Sequence, residues 1–489
     1  MSEPVLDVFA SEYIYRTTLA VPENGFYNVD FFYSHDNWDT WMKLDIVGEN
    51  GETVCYIPPL PKKYKSTTML LYLFAGTNRI TAAPRFDQPT VITNIALSDK
   101  VPTLSPSITP SGDRFYLDEP KDRRILVISY TGAPIGVTDG DTVLPFETEK
   151  QSLYENSSAL EPMEQKEPFN HYHIKLSADT LRELSEGVHE LTILLPQEQK
   201  ITYTLHVEKN ASESAFKIVS LNVGHGNCTL LRLPNGKNLL IDTGIKSCAK
   251  EVILPYLEKH GLSVDYCLIT HFHGDHIGCL DQILDRYPLS VPKYPGNFIK
   301  TSAEERTEYL SRFKYLDSSM LCRYDRLDKI WDLGGVEITV LNSRFDQNGD
   351  PIDPNFRGEN QTSVSMLVKY NGFGYYHGAD NEAPNQKKTL ADFTAWGKVN
   401  ELACHYMLGN HHFHGDMDTA AIRAINPVAI LVPANAALYS RSAFMVDFMK
   451  EVAEADFAGK RLKDLFVSYF SGTVTVSVNS GDDWHYETD

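Results

Sequence analysis

The sequence predicts a multidomain protein in which two all-β sandwich domains precede a C-terminal α/β domain. Three observations predict this fold class. The chain has 489 residues, and because single hydrophobic cores stop growing near about 250–300 residues, such a chain divides into domains. Short runs of alternating apolar and polar residues fill the chain up to Val207. From Ala215 onward, strand patterns alternate with helix patterns, which is typical of α/β folds.

Residues 1–102 contain short strand patterns separated by turns. The runs GFYNVDFFYS, TTMLLYLFAGTNRI and ITNIALS are spaced as in a β-sandwich. Their order resembles carbohydrate-binding-module sandwiches, in which an aromatic strand, a G-x-N-x-I turn and an I-x-x-I-x-L strand follow one another. The resemblance implies carbohydrate contact through residues 1–102, with Tyr33, Trp38 and Trp41 as candidate rings for stacking on a sugar. Packing of these rings within the sandwich is the alternative, which we favour.

Residues 103–211 form a second predicted β-domain. It begins in the Pro/Ser/Thr-rich joint VPTLSPSITPSG and includes the strand patterns RRILVISY and HYHIKL. The pair HELTILL and ITYTLHV flanks Pro196–Lys200 and predicts a β-hairpin. The phrase LSADTLRELSEGVHELTILL resembles bacterial immunoglobulin-like modules, which implies an immunoglobulin-like domain.

Residues 212–489 have the pattern of an α/β domain. The runs FKIVSLNV, NCTLLRLP and NLLIDTG predict strands, and VDYCLIT predicts a buried strand. Between them, CAKEVILPYLEKHG predicts an amphipathic helix that ends at Gly261.

Charge and composition limit the partners and the compartment. The formal net charge is −20, which repels phosphate backbones and disfavours nucleic acid, although metal ions or a few basic residues could offset it locally. No run reaches the ~18–20 apolar residues of a membrane span. Seven cysteines without a CxxC pair, and a start without a secretory signal, favour the cytoplasm. Secretion is the alternative, because removal of a signal peptide would leave the same pattern.

The segment from Thr270 to Gly278, THFHGDHIG, carries the strongest chemical signal. His271 and His273 are two apart in extended chain, so their rings project to the same side. Asp275 and His276 follow where the chain turns into a helix, from which they can face back toward the first pair.

This ligand spacing predicts a pair of metal ions. Four N/O ligands within six residues cannot surround one ion with good angles, but they can supply two ions about 3.5–4 Å apart. Imidazole and carboxylate without thiolate favour zinc, with manganese or iron as alternatives. The histidines of NHHFHGD form the second metal candidate in the chain.

The run from LNVGHGN through LIDTG to THFHGDHIG resembles the metallo-β-lactamase superfamily. It is most similar to the branch of competence-type DNA-uptake hydrolases and phosphorylcholine esterases, whose motifs read DVGxGD, LIDTG and THxHxDHxGG. The resemblance covers roughly Phe216 to the C-terminus. It implies an αββα sandwich with the metals at one edge of the paired sheets.

The resemblance also implies roles for the ligands. His271 and His273 correspond to ligands of a first metal, and Asp275 and His276 to ligands of a second. The family's bridging carboxylate is the Asp of a Gly-Asp phrase that follows a strand, and FGYYHGAD places Asp380 in this role, with one extra alanine between the glycine and the aspartate.

The last ligand of the family comes from an HHG motif. Its equivalents in this chain are His411 as the first choice, His412 as the second and His414 as the third.

The chain departs from the family at one ligand. Complete di-metal members have a third histidine on the first metal, whereas this chain has no histidine between Ile277 and Tyr376. The first site is therefore expected to be incomplete or to be completed by Asn360, water or substrate. His377 is expected to lie beside the site, and Asp242 is a candidate to orient a ligating histidine.

The expected activity is hydrolysis by a metal-activated water. Asp275 and Asp380 would orient the attacking hydroxide, and His225 is a candidate proton donor, with loop packing as its alternative role. The resemblance implies a phosphoester substrate, and the charge favours a small or glycan-linked one. The alternatives are hydrolysis of a lactone, β-lactam or thioester, and a non-catalytic binding or sensing protein with a degenerate metal site.

Overall fold

The structure of the chain is a computed structural model, and it describes most of the sequence. The described residues are 14–34, 42–57, 66–84, 91–100, 102, 104–108, 114–118, 120, 122–150, 171–209, 215–288, 294–295, 311–314, 321–322, 329–343, 358–413, 417–434 and 462–488. Among them, those within 14–108 and 120–208 form one compact unit, and those within 114–118 and 209–488 form a second.

The described residues up to Glu208 lie mainly in strands. They are β1 (Tyr15–Val21), β2 (Gly25–Ser34), β3 (Met42–Gly48), β4 (Gly51–Ile57), β5 (Ser66–Leu73), β6 (Gly76–Pro84), β7 (Val91–Leu97), β8 (Ser107–Ile108), β9 (Arg114–Tyr116), β10 (Arg123–Ile128), β11 (Gly136–Asp139), β12 (Thr142–Val143), β13 (Glu147–Lys150), β14 (His171–Leu176), β15 (Gly187–Leu194) and β16 (Lys200–Glu208), with the short helix α1 (Ala178–Arg182).

The strands up to Leu97 form two antiparallel sheets, in the orders β1-β6-β3-β4 and β5-β2-β7. Buried side chains of both sheets, such as Val29 and Leu44, meet in one hydrophobic core. Tyr33 belongs to this core and is 2% exposed. The packing of Tyr33 within the sandwich, which we favoured, is therefore confirmed, and its covered ring cannot stack on a sugar. Trp38 and Trp41 lie outside the described residues.

The following strands pair in two further sheets. One has the order β13-β14-β10-β8, and in the other β12, β11, β15 and β16 are successive neighbours. The predicted hairpin is confirmed: β15 pairs antiparallel with β16, with Leu194 opposite Lys200. The boundary between residues 102 and 103 stays a prediction.

The second unit alternates strands with helices. Its strands are β17 (Phe216–Ser220), β18 (Thr229–Arg232), β19 (Asn238–Ile241), β20 (Tyr266–Leu268), β21 (Tyr294–Pro295), β22 (Leu321–Cys322), β23 (Lys329–Leu333), β24 (Val336–Asn342), β25 (Ser365–Tyr370), β26 (Phe373–His377), β27 (Tyr406–Leu408), β28 (Ala429–Val432), β29 (Asp464–Val467), β30 (Val474–Val478) and β31 (Trp484–Thr488). Its α-helices are α2 (Leu254–Lys259), α3 (Gly274–Ile277), α4 (Leu280–Arg286), α5 (Ala383–Ala395), α6 (Thr419–Ile425) and α7 (Ser468–Ser471). A π-helical turn, Ala249–Ile253, leads into α2, short 3-10 helices cover Asn360–Thr362 and Val399–Leu402, and Asn410–Phe413 forms a turn with left-handed residues. Within the described ranges, no helix is both long and apolar enough to cross a bilayer.

Two sheets of the second unit share a core. One has six strands in the order β20-β19-β18-β17-β30-β31, and the other has seven, from β23 to β29 in sequence order. Strand alternation assigns each residue to a face. Ile218 and Leu231 belong to the core that both sheets share. Their neighbours Val219 and Leu230 belong to a second core with the helix residue Leu257. Helices therefore cover the outer face of the six-stranded sheet.

The carboxyl ends of several strands bring the motif residues to one region. β19 runs parallel to β20, and β26 runs parallel to β27, with His377 opposite Leu408. Parallel neighbours place their carboxyl ends at the same edge of a sheet. Asp242, His271, Asp380 and His411 all follow the carboxyl ends of these strands within four residues.

Gly278, which directly follows α3, tests how closely the ligand-bearing turn is packed. A Cβ at Gly278 would lie 2.7 Å from the carbonyl oxygen of Gly244 and from the backbone nitrogen of Lys246, whereas a Cβ at Gly274 would meet nothing within 4 Å. Because the clashing atoms are backbone, we expect Gly278→Ala to cost about 1–3 kcal/mol. Gly274→Ala is the matched control and should change the stability by less than ~0.5 kcal/mol. Urea unfolding of the two variants measures this, and equal midpoints would show that the turn can relax.

Candidate metal centre

The Thr270–His276 turn presents its side chains at the end of β20. His273 has extended backbone angles, φ −70° and ψ 150°, and directly precedes α3, so Asp275 and His276 lie in the first helical turn. His271 is 1% and His276 is 0% exposed, whereas His273 is exposed and Asp275 is half-buried. The turn thus holds two imidazoles inside the protein and leaves one at the surface.

Asp380 lies at the centre of the histidine cluster and is 1% exposed. Its Oδ1 is 3.0 Å from His276 Nε2 and 3.6 Å from His412 Nε2. Its Oδ2 is 3.6 Å from His271 Nε2 and 4.0 Å from His411 Nε2. Four imidazoles from two distant parts of the sequence therefore face one carboxylate.

The extra residue before Asp380 is accommodated by an unusual backbone. Ala379 has φ 47°, in the left-handed region, and its carbonyl oxygen accepts a hydrogen bond from the His411 backbone N–H at 2.8 Å. The loops that carry Asp380 and His411 are thereby joined directly.

Potential ligand atoms fall into two groups that share Asp380. One group contains Asp275, His276, Asp380 and His412; the other contains His271, His273 and Asp380. Within each group, one ligand atom from every residue lies within 4.8 Å of the others. His412, the second choice from the sequence, is thus in a four-residue group, whereas His411, the first choice, is in neither. His414 lies outside the described residues.

The donor set fits divalent cations. Nε2 of His271, His276 and His412 and Oδ1 of Asp380 are buried and have no partner in hydrogen-bond geometry among the described residues, although His276 Nε2 is 3.0 Å from Asp380 Oδ1. Buried polar atoms without partners are costly, and proteins normally satisfy them. Cations between the imidazoles and the carboxylates would satisfy these atoms, and nitrogen with carboxylate oxygen is a ligand combination that zinc accepts.

Asp242 contacts the nitrogen of His276 that faces away from Asp380. It has φ 60° in the LIDTG turn, and its Oδ2 is 2.7 Å from His276 Nδ1. The same carboxylate accepts hydrogen bonds from the Thr270 backbone N–H at 2.7 Å and from Thr270 Oγ1 at 2.8 Å. If His276 Nδ1 carries the proton, its Nε2 presents a lone pair to the site. The sequence analysis assigned no role to Thr270, although Thr270 begins the histidine motif.

His225 contacts the site through Asp275. Its Nε2 is 2.9 Å from Asp275 Oδ2, and its ring centroid is 5.0 Å from that of His412. The backbone beside it packs on the same residue, since Asn227 N donates to the Asp275 carbonyl at 3.1 Å. Gly226 has φ 128°, and a Cβ there would collide with that carbonyl. The loop that contains His225, Gly226 and Asn227 therefore contacts both the side chain and the backbone carbonyl of Asp275.

Asn360 and His377 occupy different positions relative to the site. Asn360 Nδ2 is 3.0 Å from His411 Nε2, so Asn360 borders the cluster. His377 is fully buried at the end of β26, and its ring nitrogens have no hydrogen-bond partner among the described residues. Burial lowers the pKa of His377 to about 4, so its ring is neutral.

Burial and neighbouring charges set the protonation of the cluster. Burial opposes charge on His276, but Asp380 and Asp242 outweigh it and hold its pKa well above the ordinary value. Burial, together with the His276 cation, holds the pKa of His271 well below its ordinary value. Burial opposes ionisation of Asp380, but the surrounding imidazoles, led by His276, hold its pKa well below the usual range. Without an ion, Asp380 is therefore ionised and His276 is protonated, and a cation would displace the His276 proton.

The comparisons with known proteins agree with these motifs. Residues 221–372 match the family model of the metallo-beta-lactamase superfamily. Recombination protein 2 of Haemophilus influenzae is 35% identical over 92 residues, which are 18% of this chain and 12% of that protein. Beta-lactamase-like protein 2 homolog of Caenorhabditis elegans is 31% identical over 123 residues, 24% of this chain and 40% of that protein. A UPF0173 metal-dependent hydrolase of Staphylococcus saprophyticus is 24% identical over 171 residues, 34% of this chain and 66% of that protein.

The C-terminal part of the chain therefore carries a metallo-beta-lactamase superfamily domain. The match to each of these relatives spans less than two thirds of the relative's length, from 12% to 66%. The likeness thus concerns this domain.

Asp242→Asn tests whether the supporting carboxylate orients His276. Asparagine tolerates φ near 60° and keeps the shape of the side chain, but it loses the negative charge that fixes the imidazole. We expect the affinity for Zn²⁺ to fall about 10–100-fold, as when other outer-sphere partners of ligands are lost.

The affinity can be measured by competition with a chromophoric chelator. Asp265→Asn is the control, because Asp265 accepts from Lys237 Nζ at 2.9 Å and has no contact with the cluster. Affinities of Asp242→Asn and the control that agree within threefold would exclude the orienting role.

Proposed function

We propose that this protein is a metal-dependent hydrolase whose substrate is a phosphoester. The observation that carries the proposal is the convergence on the Asp380 carboxylate of three buried imidazole Nε2 atoms that have no partner in hydrogen-bond geometry among the described residues. A structural cluster of neutral polar side chains would be expected to satisfy these atoms internally. The superfamily match of residues 221–372 supports metal-dependent hydrolysis, and the choice of a phosphoester depends on the charge of the site.

The ligands divide between two ions. His271, His273 and Asp380 would hold the first ion. Asp275, His276, His412 and Asp380 would hold the second, and Asp380 belongs to both ligand groups. Zinc is the metal that this donor set favours, and manganese and iron are the alternatives.

The chain's own residues prepare the reaction. When bound, the two metal ions would lower the pKa of a water molecule and polarise an oxygen of the scissile bond. Asp275 and Asp380 contribute carboxylate oxygens to the ligand groups, where they would orient the attacking water. His225 Nε2, 2.9 Å from Asp275 Oδ2, is at the partly exposed side of the site and is placed to move a proton to the leaving group.

Charge favours an anionic group at the site. The proposed ligands include two carboxylates, Asp275 and Asp380, whereas two divalent ions carry four positive charges, so the loaded centre has an excess of about two positive charges. A phosphoester anion is attracted to this excess. The formal charge of −20 over the whole chain disfavours polyanions such as nucleic acid. A small or glycan-linked phosphoester would be attracted by the positive charge of the loaded centre and would be repelled less than a polyanion by the negative charge of the whole chain.

Removal of ligands from either group tests the activity. His273→Ala and Asp275→Ala should each reduce turnover of bis-p-nitrophenyl phosphate to background, because each removes a ligand from a different ion. Both residues are outside the core, so the far-ultraviolet circular dichroism should be unchanged. His260→Ala is the control, since His260 follows α2 and packs on Tyr256, away from the cluster. Wild-type rates in either ligand variant would refute the assignment.

The rival activities have different signatures. Turnover of a lactone, β-lactam or thioester without turnover of the phosphodiester would indicate a hydrolase that acts on carbonyl groups. Less than one metal per chain, together with no turnover of any of these substrates, would indicate a binding or sensing protein.

A further inference from the structure

The two oxygens of Asp380 divide the surrounding imidazoles into two pairs. His276 Nε2, at 3.0 Å, and His412 Nε2, at 3.6 Å, approach Oδ1. His271 Nε2, at 3.6 Å, and His411 Nε2, at 4.0 Å, approach Oδ2. The consecutive residues His411 and His412 therefore face opposite oxygens of one carboxylate.

An unusual backbone allows two adjacent residues to do this. His411 has φ 45° and ψ 43°, and His412 has φ 52° and ψ 23°. Phe413 continues the left-handed turn with φ 53°. Residues other than glycine rarely adopt this conformation, and such strain occurs preferentially at functional sites.

Contacts on both sides hold the strained turn. The His411 backbone N–H donates to the Ala379 carbonyl at 2.8 Å. His412 Nδ1 is 2.8 Å from the Pro433 carbonyl oxygen, and the Phe413 ring is fully buried. The direction of both imidazoles is therefore fixed by the fold.

The hydrogen bond of His411 identifies which of its nitrogens lacks a proton. Asn360 Nδ2 lies 3.0 Å from His411 Nε2. In this orientation of the amide, Asn360 Nδ2 donates and His411 Nε2 accepts, so Nε2 carries the lone pair of the neutral ring. An unprotonated ring nitrogen is the form of histidine that binds a metal ion.

The geometry points to His411 as the third imidazole ligand of the first metal, in addition to His271 and His273. The chain has no histidine between Ile277 and Tyr376, and the imidazole on the Oδ2 side of Asp380 comes instead from the histidine pair. Each member of the pair then serves a different ion. Binding at the first site breaks the hydrogen bond between Asn360 and His411. This inference rests on the proposed function, because it assumes that ions bind around Asp380.

Cobalt binding by the full-length chain tests the inference without any substrate. The metal-free protein is titrated with Co²⁺, stoichiometry is obtained by equilibrium dialysis, and the d–d absorption reports the ligands of each ion. The wild type should bind two Co²⁺ ions. In His411→Ala, one ion should bind as in the wild type. The affinity for the other ion should fall by more than about 100-fold. This exceeds the loss of about 10–100-fold that is expected when only an outer-sphere partner is removed.

Three comparisons locate the effect. His412→Ala should weaken the ion that His411→Ala leaves unchanged, because it removes a ligand of the other group. His411→Asp restores a donor atom and should bring the weakened ion back to within about tenfold of the wild type. His260→Ala should match the wild type at both sites.

The outcomes distinguish this inference from the proposed function. If His411→Ala binds both ions within tenfold of the wild type, or if His411→Ala and His412→Ala weaken the same ion, the role of His411 is refuted while the metal centre stands. If the wild-type protein binds no Co²⁺, the proposed function fails as well.

Discussion

The ionised carboxylate of Asp380 is the interaction on which the site depends. It is buried, and an isolated buried carboxylate would be strongly unfavourable. Imidazoles from the Thr270–His276 turn and from the Asn410–Phe413 turn compensate it. The protein thus brings together two segments separated by more than a hundred residues around one charge, and this arrangement is what makes the cluster suitable for cations.

The fold supplies this arrangement through strands that end at neighbouring positions. Asp380 and the His411–His412 pair follow the parallel strands β26 and β27 of the seven-stranded sheet. The Thr270–His276 turn follows β20, which is parallel to β19 in the six-stranded sheet. Because the two sheets share one core, the carboxyl ends of strands from both sheets meet. Asp242, at the end of β19, then fixes the ring of His276 from the protein side.

The part of the site that is local in sequence could be predicted from spacing. Residues two apart in extended chain share a side, and the structure brings His271 and His273 into one group with Asp380. The choice between His411 and His412 was not accessible in this way. It depends on a left-handed turn, φ 45° and 52°, whose position the ligand spacing does not give, although histidine enters this region more often than most residues do. Spacing likewise could not reveal the positive φ of Ala379, the residue before Asp380.

Burial of a single aromatic ring could be predicted only as the favoured of two alternatives. The packing of Tyr33 that we favoured is confirmed, because alternation along β2 places it in the core with Val29 and Phe31. The surface or core position of one aromatic ring depends on strand register, and a shift by one residue would reverse it. A metal site requires several ligand residues at fixed spacing, so its motif excludes more alternatives than one aromatic residue does. The ligand motif was therefore more informative than single aromatic residues.

The most direct test of the account is the metal content of the full-length protein with and without the Asp380 carboxylate. Asp380→Asn keeps the size of the side chain and removes only its charge. After dialysis against Zn²⁺, elemental analysis should give two zinc ions per wild-type chain and at most one per Asp380→Asn chain, because the shared ligand of both groups is lost. Two tightly bound ions in the variant, or none in the wild type, would contradict the account.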